Sequence, residues 1–255
     1  MRIATFNVLH GRSLTDGAVD LDRFATAVAG LDADVLGLQE VDRDQPRSHS
    51  ADLAGIAAAA MGATHARFVA ALSGTPGGTW TAANGAEPPG FPAYGIALIS
   101  RHPVLSWQVV RLPAPAVRVP LRVPGSRLPV LVRDEPRVAI AALVKSPFGP
   151  VTVCTTHLSF VPGWNRRQLR TVMTAAGGGD GPFVLTGDLN MGPRPAARVS
   201  GLRPIAAGAT FPAHHPRRQI DHVLARGPVA AAGPAEAVQL PLSDHRALVV
   251  PCGPA

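Results

Sequence analysis

Lysine is almost missing from this chain. Lys145 is the only one among 255 residues, so nearly all of the positive charge is arginine. Cysteine is scarce too, with Cys154 and Cys252 alone. Such a pair cannot build the disulfide framework of a small secreted domain. Cys154 lies inside an apolar run and reads as a small core residue. No apolar run approaches the roughly 20 residues of a membrane-crossing helix. The amino terminus enters strand pattern at Arg2 without the apolar core of a secretory leader. A cytoplasmic protein with no integral membrane association is therefore expected. Aromatic residues make up only 5% of the chain, too few for a basic, stacking-rich patch of the kind that holds single-stranded nucleic acid. A Gly-x-Ser-x-Gly elbow, a P-loop and Cys/His zinc spacing are all missing.

What is present is enough for a large core. The chain is 46% hydrophobic and needs no covalent staples. Glycine and proline, 26 of each, imply many turns and long loops without reaching a low-complexity composition. No repeat of solenoid length occurs. Net charge is +7 and the pI about 11.0. Guanidinium forks match phosphate oxygens in two-point contacts, so this charge suits a phosphate-bearing partner. Alanine, glycine, proline and arginine are abundant together, however, as coding bias would produce. Local clustering of arginine is the better guide.

Three segments carry helical period. Leu21, Phe24, Ala25, Val28 and Leu31 share one face, with Asp20 as N-cap. Leu53, Ile56, Ala57, Ala60 and Met61 share another, and Gly62 offers the stop. Leu169, Val172, Met173 and Ala176 form a third, after Pro162 and before three glycines from Gly177. Strand pattern is commoner, at 3–8, 35–39, 65–72, 94–100, 105–112, 138–144, 151–157, 183–189, 219–224 and 247–250. Several of these are continuous apolar runs, as expected when both faces are covered. Two packed sheets with helices outside fit this ratio better than one doubly wound sheet. Two stretches, 73–93 and 112–136, read as long irregular loops, the second carrying Arg118, Arg122, Arg127 and Arg133. No linker interrupts the chain, so one domain over 1–255 is expected.

Polar residues recur where strand patterns run out. Asn7 ends the first, Glu40 follows the second, His157 ends another, and Asp188 with Asn190 ends a fourth. Ile220-Asp221 and Ser243-Asp244-His245 come later. Phe6-Asn7, Leu38-Gln39-Glu40-Val41-Asp42, Thr156-His157-Leu158, Gly187-Asp188-Leu189-Asn190, Ile220-Asp221 and Ser243-Asp244-His245 together resemble the motif series of the endonuclease/exonuclease/phosphatase superfamily. They stand in that family's order and cover nearly the whole chain. The resemblance implies a four-layer α-β-β-α sandwich, DNase I-like, with the reactive residues along one edge. It also implies hydrolysis of phosphodiester or phosphate-monoester bonds.

Such hydrolysis needs a cation against the phosphate charge, a deprotonated water, and donors for the phosphate oxygens. Glu40 offers a hard carboxylate for Mg²⁺, with Mn²⁺ as a substitute. By resemblance, Asn7 and Asp244 lie beside that metal. Asp188 is the family's candidate for orienting or deprotonating water, and Asn190 for contacting a phosphate oxygen or the nucleophile. Asp221 is the usual partner of His245, and a carboxylate on one ring nitrogen raises basicity and sets the tautomer. Whether Asp188 or the Asp221–His245 pair is the base stays open. His157 resembles the imidazole of non-specific nucleases, sphingomyelinases and inositol-phosphate phosphatases.

Substrate contacts are sought at Arg137, Arg217, Arg218 and His10. His222 points away from Asp221 along the strand and reads as structural. Asp42 and Asp52 look like loop and cap residues. The expected partner is a phosphate ester, with DNA or RNA first, acted on by a monomer. Lipid head groups and soluble sugar or inositol phosphates are the alternatives. A sphingomyelinase would want an exposed apolar membrane loop, for which Trp80 is the one candidate. A non-catalytic binding protein on the same fold is the rival from another class; such proteins usually lose metal or base residues that are all present here.

Overall fold

The computed structural model of the protein describes residues 1–116, 118–121 and 130–255. Arg122 and Arg127 lie outside the described residues. In chain order the strands and helices are β1 (Arg2–Asn7), α1 (Leu21–Gly30), β2 (Val35–Arg43), α2 (Leu53–Met61), β3 (His65–Gly74), β4 (Trp80–Ala82), β5 (Ala93–Ser100), β6 (Val104–Leu112), β7 (Arg118–Leu121), β8 (Val130–Arg133), β9 (Arg137–Ser146), β10 (Gly149–His157), α3 (Trp164–Ala176), β11 (Phe183–Asp188), α4 (Pro193–Ser200), β12 (Arg203–Pro204), β13 (Asp221–Arg226), β14 (Ala230–Ala231), β15 (Glu236–Val238) and β16 (Ala247–Gly253).

Local signals account for the first helices. Asp20 accepts the Arg23 backbone N–H at 2.8 Å and opens α1. Asp52 accepts Gly55 N–H at 3.1 Å and opens α2, which Gly62 closes with φ +64°. Helix α4 has no counterpart in the periodicity reading. Only Ala196 is buried along its eight residues, so it shows no apolar stripe.

The larger sheet runs β14-β16-β1-β2-β5-β3-β4, with β15 on β16; the other runs β12-β13-β11-β10-β9-β6. Apolar side chains fill three interior zones. Ile3, Val35, Leu98, Ile140, Val153, Val184 and Leu248 pack between the sheets. Phe6, Phe24, Val28, Leu36, Leu53 and Ile99 pack the larger sheet against α1 and α2. Cys154, Leu158, Leu169, Val172 and Leu185 pack the smaller sheet against α3. The result is the α-β-β-α layering expected from the motifs. Among the described residues no helix is long and apolar enough to cross a membrane.

Two expectations change. The 112–136 stretch is not wholly irregular, because β7 and β8 pair antiparallel within it; β4 likewise pairs β3 inside 73–93. Asp42 is no loop residue. It sits in β2, fully buried, and takes the Arg47 guanidinium on both oxygens at 2.8 and 2.7 Å. A buried carboxylate needs such a partner.

The inward face of the central strands is graded. Along β1 it reads Ile3, Thr5, Asn7; along β10 Val153, Thr155, His157; along β11 Val184, Thr186, Asp188. Apolar residues lie deepest, hydroxyls come next, and ionisable or amide groups end each strand. The hydroxyl tier is bonded through Gln39, whose Nε2 donates to Thr5 Oγ1 and Thr155 Oγ1, each at 3.1 Å. Gly37 lets the sheets approach there: a Cβ would overlap the Thr155 hydroxyl and come within 2.8 Å of the Thr186 hydroxyl.

Candidate active site

Strand register brings the reactive side chains together. His157 pairs with Asp188 across β10 and β11, and Asp188 pairs with Asp221 across β11 and β13. Three ionisable groups therefore stand side by side on neighbouring strand ends, all buried. Gly187 makes this possible: its φ is +131°, and a Cβ there would overlap the Thr156 carbonyl. Asn7 approaches from the other sheet, and its Nδ2 donates to Asp188 Oδ2 at 3.3 Å and to Glu40 Oε1 at 3.0 Å.

Glu40 marks a break in β2. The pairing with β5 slips between Gln39 and Val41, and Glu40 takes φ +58°. Bulges re-aim side chains in this way, and the left-handed backbone is costly for glutamate. Burial raises the Glu40 pKa, and the Asp244 charge adds to the effect. Asp244 is half-buried on a turn tied to β1, where Ser243 Oγ donates to Asn7 O at 2.6 Å and accepts His245 N–H at 3.0 Å.

His245 lies between two carboxylates. Its Nδ1 is 2.9 Å from Asp221 Oδ2 and its Nε2 is 3.8 Å from Asp188 Oδ2. Burial works against its charge, but Asp221, Asp188 and Asp244 outweigh burial and push its pKa up to about 10. Thr210 Oγ1 donates to the same Asp221 oxygen at 2.5 Å, while Asp221 Oδ1 has no partner among the described residues. Asp188 is pushed up to about 7, first by burial and then by the Asp221 charge opposite it. Its Oδ1 accepts Asn190 N–H at 2.9 Å.

His157 behaves oppositely. Burial, then the Arg137 and His245 charges, hold its pKa well below the ordinary value. Arg137 Nη1 lies 3.2 Å from His157 Nδ1. Arginine can only donate, so Nδ1 accepts and Nε2 carries the hydrogen. That Nε2 lies 3.6 Å from Asp188 Oδ2. Asn190 fixes its side-chain amide by donating to Leu158 O at 2.9 Å, and its backbone carbonyl accepts Asn165 Nδ2 at 3.0 Å.

The substrate-contact candidates sit differently. Arg137 is buried and committed to Asp134 Oδ1 (3.1 Å), Glu135 Oε2 (3.5 Å) and His157, so its guanidinium orients an imidazole rather than reaching outward. Arg217 and Arg218 are exposed on a segment bridged to Phe211, whose ring packs 5.0 Å from the His245 ring. His10 is half-buried in a short turn, where burial, then the Arg47 charge, lowers its pKa to about 4. His222 is buried and bonds Met191 O at 2.8 Å, a structural role. Trp80 does not protrude; its Nε1 donates to Glu135 Oε1 at 3.3 Å and its ring lies 5.7 Å from Tyr94.

Thr210, Asn165 and Asp134 support the site without a motif of their own. Only Asp134 had a local signal, through its place three residues before Arg137. Two donor sets could take a cation. One is Glu40 and Asp244. The other comprises Asp188, Asp221 and His245, whose ligand atoms all lie within 4.8 Å of one another.

Two β-sheets face to face, with buried acids, amides and imidazoles gathered at one edge, define a sandwich hydrolase architecture. The chain belongs to the Endonuclease/Exonuclease/phosphatase family, whose model matches residues 4–245. Members of this family hydrolyse phosphoester bonds. No curated protein matches the sequence. Among solved structures, an endonuclease/exonuclease/phosphatase from Beutenbergia cavernae is 26% identical with a TM-score of 0.69, covering 100% of this chain and 72% of that one. A mannosyl-6-phosphatase from Bacteroides thetaiotaomicron is 15% identical with a TM-score of 0.62, covering 99% of both chains. Sphingomyelinase C from Streptomyces griseocarneus is 16% identical with a TM-score of 0.60, covering 98% of both. The last two share the fold alone.

Proposed function

We propose that this protein is a Mg²⁺-dependent phosphodiesterase, with nucleic acid as the first substrate class to test. The observation that carries the reading is the convergence of Asn7, Glu40, His157, Asp188, Asn190, Asp221 and His245 from both sheets, through the contacts of Asn7 and Asp188.

The cation fits best at Glu40 and Asp244. These are oxygen donors with mutual repulsion, which is the chemistry that a hard cation relieves. The Asp221–His245 contact is already closed at 2.9 Å, and imidazole ligands suit softer metals better. Asn7 lies beside this position and donates its amide N–H to Glu40 and Asp188, with Oδ1 accepting Leu9 N–H at 3.2 Å. Mg²⁺ bound there supplies neutralisation of phosphate charge; Mn²⁺ is a suitable substitute.

The chain's own residues divide the remaining work. His245 faces carboxylates at both ring nitrogens and is held as an imidazolium, so it donates to phosphate oxygen and does not accept a proton. Asp188 is then the base. It borders both imidazoles, is oriented by Asn190 N–H, and takes the proton of the attacking water. His157 presents Nε2–H to the same space, and the Asn190 amide lies beside it. Arg217 and Arg218 stand at the rim on the segment that packs against His245. Trp80, tied to Glu135, gives a lipid-directed reading no support.

The test is release of p-nitrophenol from bis-p-nitrophenyl phosphate, with plasmid, RNA, sphingomyelin and inositol phosphates alongside. Turnover should appear with Mg²⁺, vanish in EDTA and return on adding Mg²⁺. Inactivity on every compound with either Mg²⁺ or Mn²⁺ would defeat the proposal, and activity indifferent to EDTA would defeat its metal.

A further inference from the structure

A groove of about 570 Å³ lies on the outer face of the smaller sheet's helices, lined by Arg166, Arg170, Arg194, Arg198, Pro195 and Val199. All four arginines are exposed. Arg23, Arg43, Arg47, Arg101 and Arg137 each reach a carboxylate, but these four reach none among the described residues. Four unneutralised guanidinium groups in one concavity repel one another, and the arrangement gains when an anion enters. The arginine-rich composition accounts for the number of arginines alone. It does not explain four converging from two helices at positions i and i+4 on each.

Both helices that line the groove start beside the reactive edge. Asn165, next to Arg166, donates to the Asn190 carbonyl at 3.0 Å, and α4 starts at Pro193, three residues after Asn190. Helices α3 and α4 pack against each other, and the arginines of both line the one groove. Each pair spans about 6 Å along its helix, four residues at about 1.5 Å each. Phosphates along a nucleic-acid strand are also spaced by a few ångströms, so both guanidinium groups of a pair can meet one backbone.

We infer that this groove is a second, non-catalytic binding site, which holds the phosphate backbone of a nucleic acid whose scissile bond lies at the edge. The identity of the polymer rests on the phosphodiesterase reading above; the binding of a polyanion does not. A membrane surface is the less favoured occupant, because the groove is concave and offers no projecting apolar side chain.

The test compares wild type with the combined variant Arg166→Ala, Arg170→Ala, Arg194→Ala and Arg198→Ala. Affinity for a fluorescein-labelled DNA duplex of about 20 base pairs is read by anisotropy in EDTA at 50 and 200 mM salt. Turnover of bis-p-nitrophenyl phosphate is read with Mg²⁺. The variant should bind DNA at least about tenfold more weakly at 50 mM salt, with a salt slope smaller by roughly two to three. Its turnover of the small diester should be unchanged, and the corresponding four-lysine variant should keep most of the binding. DNA affinity within twofold of wild type overturns the inference. So does loss of binding to phosphatidylserine vesicles without loss of DNA binding, which would assign the groove to a membrane. If neither protein turns over the diester but the DNA result holds, the groove stands and the phosphodiesterase reading falls.

Discussion

The space between the two sheets has opposite chemistry at its two depths. In the interior, Ile3, Val35, Leu98, Ile140 and Val184 are almost free of water and of polar partners. About 13 Å farther along, four strand residues at about 3.3 Å each, Asn7, His157, Asp188 and Asp221 are just as buried, but are ionisable or amide groups crowded into one network. The interior gains stability by removing apolar area from water. The edge gives up stability to hold like charges opposite each other, as Asp188 and Asp221 are across β11 and β13. The same strands thus serve stability at one end and reactivity at the other, and the Thr5–Gln39–Thr155 tier joins the two.

Asp188→Asn should break this contrast most sharply. Turnover of a phosphodiester should fall by about a thousandfold or more, since the variant loses the water's base. Stability should move the other way. The folded pKa of Asp188 is raised to about 7 from an ordinary 3.8, so the folded state holds the proton more tightly than the unfolded chain. Its contribution is fully present below 3.8 and is lost as pH rises through about 7. In EDTA at pH 8 the variant should melt above wild type, with the gap closing as pH falls toward 4. A lower melting temperature at pH 8 would mean the edge is not under strain.

The converse change is Leu98→Ala. It should cost about 2–5 kcal/mol by urea unfolding, from lost burial and the cavity left behind. Turnover per folded molecule should be unchanged, and a large fall in it would show that interior and edge are not separable.

Asp221→Asn keeps an oxygen for Thr210 and His245 but removes the charge. Turnover should drop by about a hundredfold, because an uncharged partner no longer holds the His245 imidazolium. His245 titration by NMR should shift well below the wild-type value of about 10, and an unmoved titration would transfer the imidazolium's support to Asp188.

Thr155→Val tests the tier between the two depths and should have the smallest effect. It removes one of the oxygens that accept Gln39 Nε2, at a cost of about 1–2 kcal/mol. Turnover should change less than tenfold. A larger loss would make the hydroxyl tier part of the site's positioning.

Legibility differed by residue. Asp20, Asp52 and Gly62 announced their helix ends, because capping depends on atoms within a few positions. Asp188 and Asn190 were visible because a Gly-Asp-Leu-Asn turn at a strand end is local too. Asp42 was misread as a loop residue, since its burial depends on Arg47 folding back over β2. Arg137 was sought as a substrate contact. Its place behind His157 follows from β9 pairing with β10, and periodicity does not report which strands pair. The pairing of β7 with β8 was hidden by the proline content of that stretch.

Short-range physics is written in adjacent residues. The amino-acid order therefore settled where strands and helices form, which groups stand at their ends, and the kind of chemistry those groups can do. Register, the approach of the sheets across Gly37 and the direction each buried ring faces depend on residues up to 251 positions apart, as in the Met1–Cys252 contact. Tertiary structure alone decided that the pKa of His245 is raised while that of His157 is lowered, because the carboxylates and the guanidinium responsible come from strands remote in the chain.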